Sequence, residues 1–450
     1  MVKLHGTMII NEKGHLEIGG CDTVDLAAEF GTPLYIMDEE LVRERCRQYY
    51  EGFTGTYPNS EVIYASKAFL TLAMCHIVES EGLGLDVVSG GELYTAMKAG
   101  FPADKVYFHG NNKTPDEIKY ALESKIGRII VDNLTELETL DRICGELHTK
   151  ADIMIRITPG IEAHTHEYIQ TGQIDSKFGL VLSNGQALEG IKIALEKENI
   201  NLKGLHCHIG SQIFELESYQ HAAEIMMDFL HKVYLETGHR IEDLNLGGGF
   251  GIYYVSGDKP ANIKAYATMV METINRMCEE MDYPTPKVIV EPGRSIVGTA
   301  GTTLYTIGSV KDIPGVRKYV AVDGGMTDNP RPALYQARYE GLVANKADRP
   351  RTDEVSIAGK CCESGDMLIW DLHIPEVQPG DILAVFCTGA YNYSMSNNYN
   401  MLARPAVVFV RDGRADLVVR RETYEDLVRN DVVPERMKKG KPLSVVNSGQ

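Results

Sequence analysis

The stretch EVIYASKAF, residues 61–69, decides how the rest of the sequence is interpreted. Its apolar residues 62–64 predict a buried β-strand, and a helical pattern follows over residues 68–81. Lys67 therefore lies where a strand ends and a helix begins. A lysine at such a position is most often a solvated surface residue. Its role depends on which other residues the fold places beside it.

Eight apolar segments with strand character occur between residues 61 and 291, and they alternate with helical patterns. They begin at residues 61, 83, 105, 128, 152, 203, 242 and 287. The first five starts are 22 to 24 residues apart, which is typical of minimal βα units. Eight such units predict a (β/α)8 barrel. A doubly wound sheet would instead favour GxGxxG after the first strand, and the sequence there is YASKAF.

After residue 298 the alternation stops, and seven apolar segments separated by Gly, Pro and Asp predict an all-β region. We therefore expect an α/β barrel over residues 33–297. A second domain, a β-sandwich or Greek-key-like sheet, is expected to combine residues 298–450 with residues 1–32. In the N-terminal segment, residues 7–19 predict a hairpin and residues 23–30 a helix. The RDGR sequence at residues 411–414 predicts a two-residue hairpin turn.

Composition excludes several classes of function. A formal charge of −18 and a pI near 5.2 argue against nucleic acid and anionic membranes as partners. The sequence has no apolar run of about 18 residues and no signal-peptide pattern at its start, so we expect a cytoplasmic protein. Its nine cysteines include no CxxC pair and its histidines no HExxH motif, which predicts reduced thiols and no metal site.

Reactive side chains follow several predicted strands, and in a parallel barrel all these strand ends face one mouth. They are Lys67, Asp86, His109 to Lys113 of HGNNK, His206, His208, the glycines of GGGFG at residues 247–251, and Glu291 and Arg294 of EPGR. The glycine run lets backbone amides approach an anion closely, which predicts a phosphate site. A carboxylate such as Glu291 can keep a pyridine nitrogen protonated.

These motifs are joined by three others in the all-β region: DGGMTDNPRPALY at 323–335, CESGD at 362–366 and GAYNYSMSNNYN at 389–400. Together with SKAF and HCHIGSQ at 206–212, the set resembles the fold-type III decarboxylases that depend on pyridoxal 5'-phosphate. The CESGD sequence resembles the diaminopimelate branch of that family. The resemblance covers nearly the whole chain.

The resemblance implies a function and a role for each matching residue. It implies a carboxy-lyase that converts meso-2,6-diaminopimelate to L-lysine and CO2, the last step of lysine biosynthesis. Lys67 would bind the cofactor covalently, His208 would stack on its ring, and Cys362 would supply the catalytic proton. The implied cofactor contacts are Lys67, Asp86, His208, Ser211, Gly248, Gly249, Glu291, Pro292, Gly293, Arg294 and Tyr391. The implied substrate contacts are Arg294, Arg331, Tyr335, Glu363, Ser364 and Tyr391. The family also implies a homodimer in which Cys362 and Glu363 reach the neighbouring subunit's barrel.

Three alternatives share much of this pattern. One is a decarboxylase of another amino acid on the same scaffold. A second is a racemase, although racemases of this fold use a tyrosine as second base and lack the CES sequence. A third is a non-catalytic homologue that binds pyridoxal phosphate. Such homologues typically lose the lysine or the cysteine, and Lys67 and Cys362 are both present here.

Overall fold

The computed structural model describes residues 2–160 and 175–438. Strands in the first half of these residues are β1 (Ile9–Ile10), β2 (Leu16–Ile18), β3 (Cys21–Asp22), β4 (Leu34–Asp38), β5 (Ser60–Ala65), β6 (Gly84–Val87), β7 (Val106–Phe108), β8 (Arg128–Val131), β9 (Ala151–Thr158), β10 (Leu180–Val181) and β11 (Ile200–His206). The later strands are β12 (Asp243–Asn245), β13 (Lys287–Val290), β14 (Gly301–Ile313), β15 (Arg317–Val322), β16 (Gly341–Val343), β17 (Asp353–Ala358), β18 (Met367–Ile374), β19 (Ile382–Phe386), β20 (Ala406–Arg411) and β21 (Arg414–Val419).

The α-helices of the described residues are α1 (Thr23–Phe30), α2 (Glu39–Gly52), α3 (Leu72–Ser80), α4 (Gly90–Lys98), α5 (Pro115–Glu123), α6 (Leu134–Glu146), α7 (Gln186–Glu196), α8 (Leu216–Thr237), α9 (Ile263–Met281), α10 (Arg294–Val297), α11 (Arg331–Tyr335) and α12 (Tyr424–Val428). Local sequence explains where many of them begin. Helix α5 starts with a capping box, in which Thr114 and Glu117 satisfy each other's backbone amides, and with proline at its first position.

Eight parallel strands form the predicted barrel. Strands β5, β6, β7, β8, β9, β11, β12 and β13 pair in sequence, and β13 pairs with β5 to close the cylinder. Short β10 adds to the side of β9. All eight strands predicted from the sequence are confirmed. Buried side chains from five of the strands pack in one cluster, which consists of Ile63, Tyr107, Ile130, Met154 and Ile289.

The second sheet is built around the long strand β14, and its order is β18-β17-β15-β14-β4-β20-β21. Strand β19 also pairs with β14, and β16 pairs with β19. The expectation that the N-terminal hairpin completes this sheet is wrong. Strands β1, β2 and β3 form a small sheet of their own, and the N-terminal strand that joins the large sheet is β4. Burial explains why β4 rather than the hairpin joins the large sheet, since all five residues of β4 are buried whereas Ile9 and Ile10 are exposed. Strand β4 also lies in the range 33–297 that was expected to belong wholly to the barrel.

The remaining β-strands agree closely with the sequence. Each of the seven predicted segments after residue 298 is a strand, and three-residue β16 was missed because so short a segment has no readable periodicity. Asp412 and Gly413 both have positive φ between β20 and β21, as the predicted hairpin turn requires. No helix in the two described ranges is both long and apolar enough to cross a bilayer.

Candidate active site

A cavity of about 660 Å³ lies at the C-terminal mouth of the barrel, where loops of the second sheet cover it. Most of the residues predicted for the site line it. They are Lys67, Asp86, His208, Ser211, Gly248, Gly249, Glu291, Gly293, Arg294, Arg331, Tyr335 and Tyr391. The first nine come from barrel loops and the last three from the β-rich region, so both parts of the chain build one site.

Lys67 lies on a single 3-10 turn directly after β5. Two backbone hydrogen bonds hold the chain around this turn. The amide of Ala65 donates to the carbonyl of Pro292 at 3.1 Å, and the amide of Tyr391 donates to the carbonyl of Ala68 at 2.8 Å. Pro292 thus contributes through its backbone rather than by lining the cavity. Neighbours on both sides of Lys67 are buried while Lys67 itself is exposed to the cavity, so its amine is fixed in place and accessible.

Glu291 ends β13 and is almost completely buried. Its carboxylate accepts a hydrogen bond from Asn245 at 2.7 Å, and ring nitrogens of His109 and His206 lie 2.8 and 3.2 Å from its two oxygens. Burial alone would raise the pKa of Glu291, but the two histidines hold it well below the ordinary value. The carboxylate is therefore an anion inside the barrel mouth, ready to bind a cationic group.

Asp86 ends β6 and is buried beside this cluster. Burial raises its pKa to about 7, although the nearby His109 opposes the shift. Its Oδ1 atom has no hydrogen-bond partner within the described residues. A buried polar atom without a partner is costly, so a ligand group in the cavity is expected to complete this site.

The glycine-rich loop after β12 packs too closely for any side chain. A Cβ on Gly248 would lie 2.0 Å from the carbonyl oxygen of Glu291, and one on Gly249 would lie 2.3 Å from that of Gly210. Gly249 also has φ of 107°, which only glycine adopts without strain. Beside this loop Arg294 donates to Ser211 Oγ at 2.8 Å. Its guanidinium also lies 4.7 Å from the centre of the Tyr391 ring.

A second buried arginine faces the same cavity. Arg331 donates to Tyr339 at 2.8 Å and to the hydroxyl of Tyr254 at 3.0 Å, and that hydroxyl also accepts from Arg294 at 2.7 Å. Across the described ranges neither arginine has an acidic group within 4.0 Å. Two buried cations without an anionic partner predict a ligand that carries at least two negative groups.

Sequence reasoning did not select Tyr254, Tyr339 or Asn245. Each lies beside a recognised motif. However, no short sequence pattern indicates that Tyr254 binds two arginines or that Asn245 donates to Glu291. His109 and His206 were recognised as residues at the barrel mouth, although their contact with Glu291 depends on how the strands pair. His208 lies against the glycine loop, where the amide of Gly248 donates to its Nδ1 at 3.3 Å.

Three predicted residues lie outside the cavity of their own chain. Cys362, Glu363 and Ser364 are exposed on the loop between β17 and β18. The loop is ordered by Asp366, which accepts from the amides of Cys361 and Met326 at 2.8 and 2.7 Å. Cys361 is buried, which raises its pKa to about 12, whereas Cys362 is open to solvent. Of the two adjacent thiols, only Cys362 is accessible to another molecule.

Comparison with known proteins agrees with this geometry. The family model described as the pyridoxal-dependent decarboxylase, pyridoxal binding domain, matches residues 39–298. The Bacillus subtilis diaminopimelate decarboxylase is 55% identical over 429 residues, which are 95% of this chain and 98% of that protein. The chain belongs to the diaminopimelate decarboxylases. The Bacillus methanolicus member of the family is likewise 55% identical, over 93% of this chain and 97% of its own length.

A solved structure of the family agrees over nearly the full length. The diaminopimelate decarboxylase from M. jannaschii in complex with L-lysine superposes with a TM-score of 0.89 at 39% identity, covering 96% of this chain and 98% of the other. Members of this family use pyridoxal phosphate, and the cavity fits that group. It offers an accessible amine on Lys67, an ionised carboxylate on Glu291, and an anion site formed by Arg294, Ser211 and the glycine loop.

Proposed function

We propose that this chain decarboxylates meso-2,6-diaminopimelate to L-lysine and CO2 in the cavity at the barrel mouth. The observation that supports this most strongly is the pair Arg294 and Arg331, two buried cations that line one cavity. Lys67 and Glu291 line the same cavity. Arg294, bonded to Ser211, suits the cofactor phosphate. Arg331, on the β-rich side, suits a carboxylate at the far end of the substrate.

The chain's own groups divide the work between them. Pyridoxal phosphate, when bound, supplies an electron sink that accepts the electron pair left behind by CO2. Lys67, whose amine opens to the cavity, would hold the cofactor covalently. Glu291 would hold a proton on the cofactor's ring nitrogen, because its carboxylate stays ionised next to His109 and His206. Burial and the charge of Lys67 lower the pKa of His208 well below its usual value, so it packs there as a neutral ring.

The reaction also needs a proton donor for the carbon that loses CO2. We assign this to Cys362 of a second subunit. Among the described residues that line the cavity of one chain there is no cysteine, and Cys362 lies instead on an exposed loop. A homodimer in which this loop enters the partner's barrel mouth would bring the thiol to the carbon. It would also bring Glu363 and Ser364 to the substrate's distal ammonium group.

Selection of the substrate would follow from the same arrangement. Arg331 and Tyr335 lie on α11 and would bind the distal carboxylate, which L-lysine and ornithine lack. Either of those amino acids would leave a buried guanidinium group without an anion, which costs binding free energy. Diaminopimelate carries two carboxylates, so it can place one at the reacting centre while the other binds Arg331.

The direct test is turnover with a panel of amino acids. Holoenzyme is incubated with meso-diaminopimelate, L-lysine, L-ornithine and L-arginine, and both CO2 and the amine or amino acid product are measured. We expect CO2 and L-lysine in equal amounts from meso-diaminopimelate and a kcat/KM for the other three that is lower by at least about three orders of magnitude. Comparable turnover of lysine or ornithine would contradict the assignment of Arg331.

Sharing of the site between subunits has its own test. Lys67→Ala and Cys362→Ala chains are each inactive but carry their defects in different halves of a composite site. Mixing the two under conditions that exchange subunits should restore up to about a quarter of the native activity, because half of the dimers are hybrids with one intact site of two. A mixture that stays inactive after labelled subunits have demonstrably exchanged would show that each site is built from one chain.

A further inference from the structure

A second cavity, of about 210 Å³, lies behind the glycine-rich loop, on the side away from Lys67. Its walls come from the N-terminal segment, from α2, and from the starts of α8 and α9. It shares Phe250 and Ser295 with the main cavity, so a single layer of side chains separates the two. No step of the proposed reaction uses it.

The floor of this second cavity is aromatic and contains unsatisfied hydroxyl groups. Phe250 stacks on Tyr219 with ring centres 5.2 Å apart and meets Tyr266 edge-on at 4.3 Å. The hydroxyls of Tyr219 and Tyr266 are buried and have no hydrogen-bond partner in the part of the chain that the structure describes. Tyr49, by contrast, is satisfied by Ser295 at 2.7 Å. The cavity therefore meets the rings of Tyr219 and Tyr266, whose hydroxyl oxygens have almost no accessible surface.

The entrance of the second cavity is positively charged. Lys3 and Arg45 both lie there, and within residues 2–160 and 175–438 neither has an acidic group within 4.0 Å. Burial, together with the charges of Lys3 and Arg45, lowers the pKa of His5 to about 4, so this histidine is neutral. The two carboxylates near Tyr253 already have partners. Glu340 accepts from Tyr253 and from the amide of Ser256, and Asp258 accepts from the amides of Tyr254 and Val255.

We propose that this cavity is a second ligand site for a small aromatic carboxylate, with the carboxylate at Lys3 and Arg45 and the ring on the floor of Phe250, Tyr219 and Tyr266. A cavity of about 150 Å³ is sufficient for benzene in another protein, so the volume suits one substituted ring. The occupant would contact Phe250 directly and thus the back of the loop that holds Gly248 and Gly249. The proposal does not depend on the reaction assigned to the main cavity.

The test is a calorimetric titration of holoenzyme with 4-hydroxybenzoate, in the presence of excess L-lysine so that the main cavity is occupied. We expect one ligand per chain. Arg45→Gln should weaken binding by at least about tenfold, because it removes a charged partner of the carboxylate. Arg47→Gln is the matched control, since Arg47 lies on the same helix outside the cavity and pairs with Glu40, and it should leave binding unchanged.

A second variant tests the floor without removing charge. Tyr266→Leu should weaken 4-hydroxybenzoate and benzoate alike by a few-fold, because it removes one aromatic ring from the floor. The proposal is overturned if neither compound binds saturably at millimolar concentration. It is equally overturned if binding is the same in Arg45→Gln and Arg47→Gln, which would place the compound elsewhere on the protein.

Discussion

The hydroxyl of Tyr254 accepts hydrogen bonds from two buried guanidinium groups. Tyr254→Phe should therefore weaken the binding of both the cofactor and the substrate. In the native chain the hydroxyl accepts from Arg294 at 2.7 Å and from Arg331 at 3.0 Å. A hydrogen bond to a charged group contributes about 1.5 to 3 kcal/mol. Each arginine keeps another partner, Ser211 or Tyr339, so the lower value applies to each side. The expected loss is about 1.5 kcal/mol per side, or roughly tenfold in each affinity.

Two assays separate these effects. Dissociation of pyridoxal phosphate from the Tyr254→Phe protein is followed by absorbance, and kcat/KM for meso-diaminopimelate is measured at saturating cofactor. Tyr253→Phe is the matched control, because its hydroxyl faces Glu340 at 3.1 Å instead of the two arginines. If Tyr254→Phe changes only one of the two quantities, or if Tyr253→Phe has the same effect, the shared hydroxyl does not connect the two sides.

Two further predictions concern charged groups on the β-rich side. Arg331→Ala should lower kcat/KM for meso-diaminopimelate by about two to four orders of magnitude, because a buried carboxylate loses its charged partner, while the absorbance of bound cofactor stays unchanged; a changed spectrum would assign Arg331 to the cofactor instead. Burial raises the pKa of Asp328 to about 7 in the folded chain. In the unfolded chain the same carboxyl group loses its proton near pH 4, so the free energy of unfolding should fall as the pH rises from about 4 to 7. Asp328→Asn should therefore become more stable relative to the native chain over that interval in chemical denaturation, and an unchanged difference would refute the shift.

Much of the fold could be predicted from sequence because the barrel repeats a simple pattern. Each of its eight strands is a short apolar run followed by a polar segment, and parallel strands bring all their C-terminal ends to one mouth. That geometry places Lys67 and Glu291 together although they are far apart in the chain. The N-terminal strand pairing could not be predicted in the same way. Strand β4 has no periodicity of its own, and its place between β14 and β20 is set by tertiary burial.

Site residues could be predicted from the sequence where their role follows from the residue type. Residues whose role follows from contacts with other side chains could not be predicted in this way. Glycines that no side chain can replace and a lysine after a strand are visible in the sequence. The shared hydroxyl of Tyr254 and the amide of Asn245 behind Glu291 depend on side-chain geometry that sequence does not encode in any short pattern. The exposed loop of Cys362 and Glu363 was recognised only through the family resemblance.

The central claim is that the cavity at the barrel mouth is the catalytic centre and that Lys67 binds the cofactor there. The measurement that tests it most directly is reduction of holoenzyme with borohydride, which fixes pyridoxal phosphate on the lysine that holds it, followed by mass spectrometry of peptides. We expect one label per chain on Lys67, and in the Lys67→Ala protein we expect no lysine to be labelled. A label on Lys113, which the fold buries against Glu136, or on any other lysine would contradict the account.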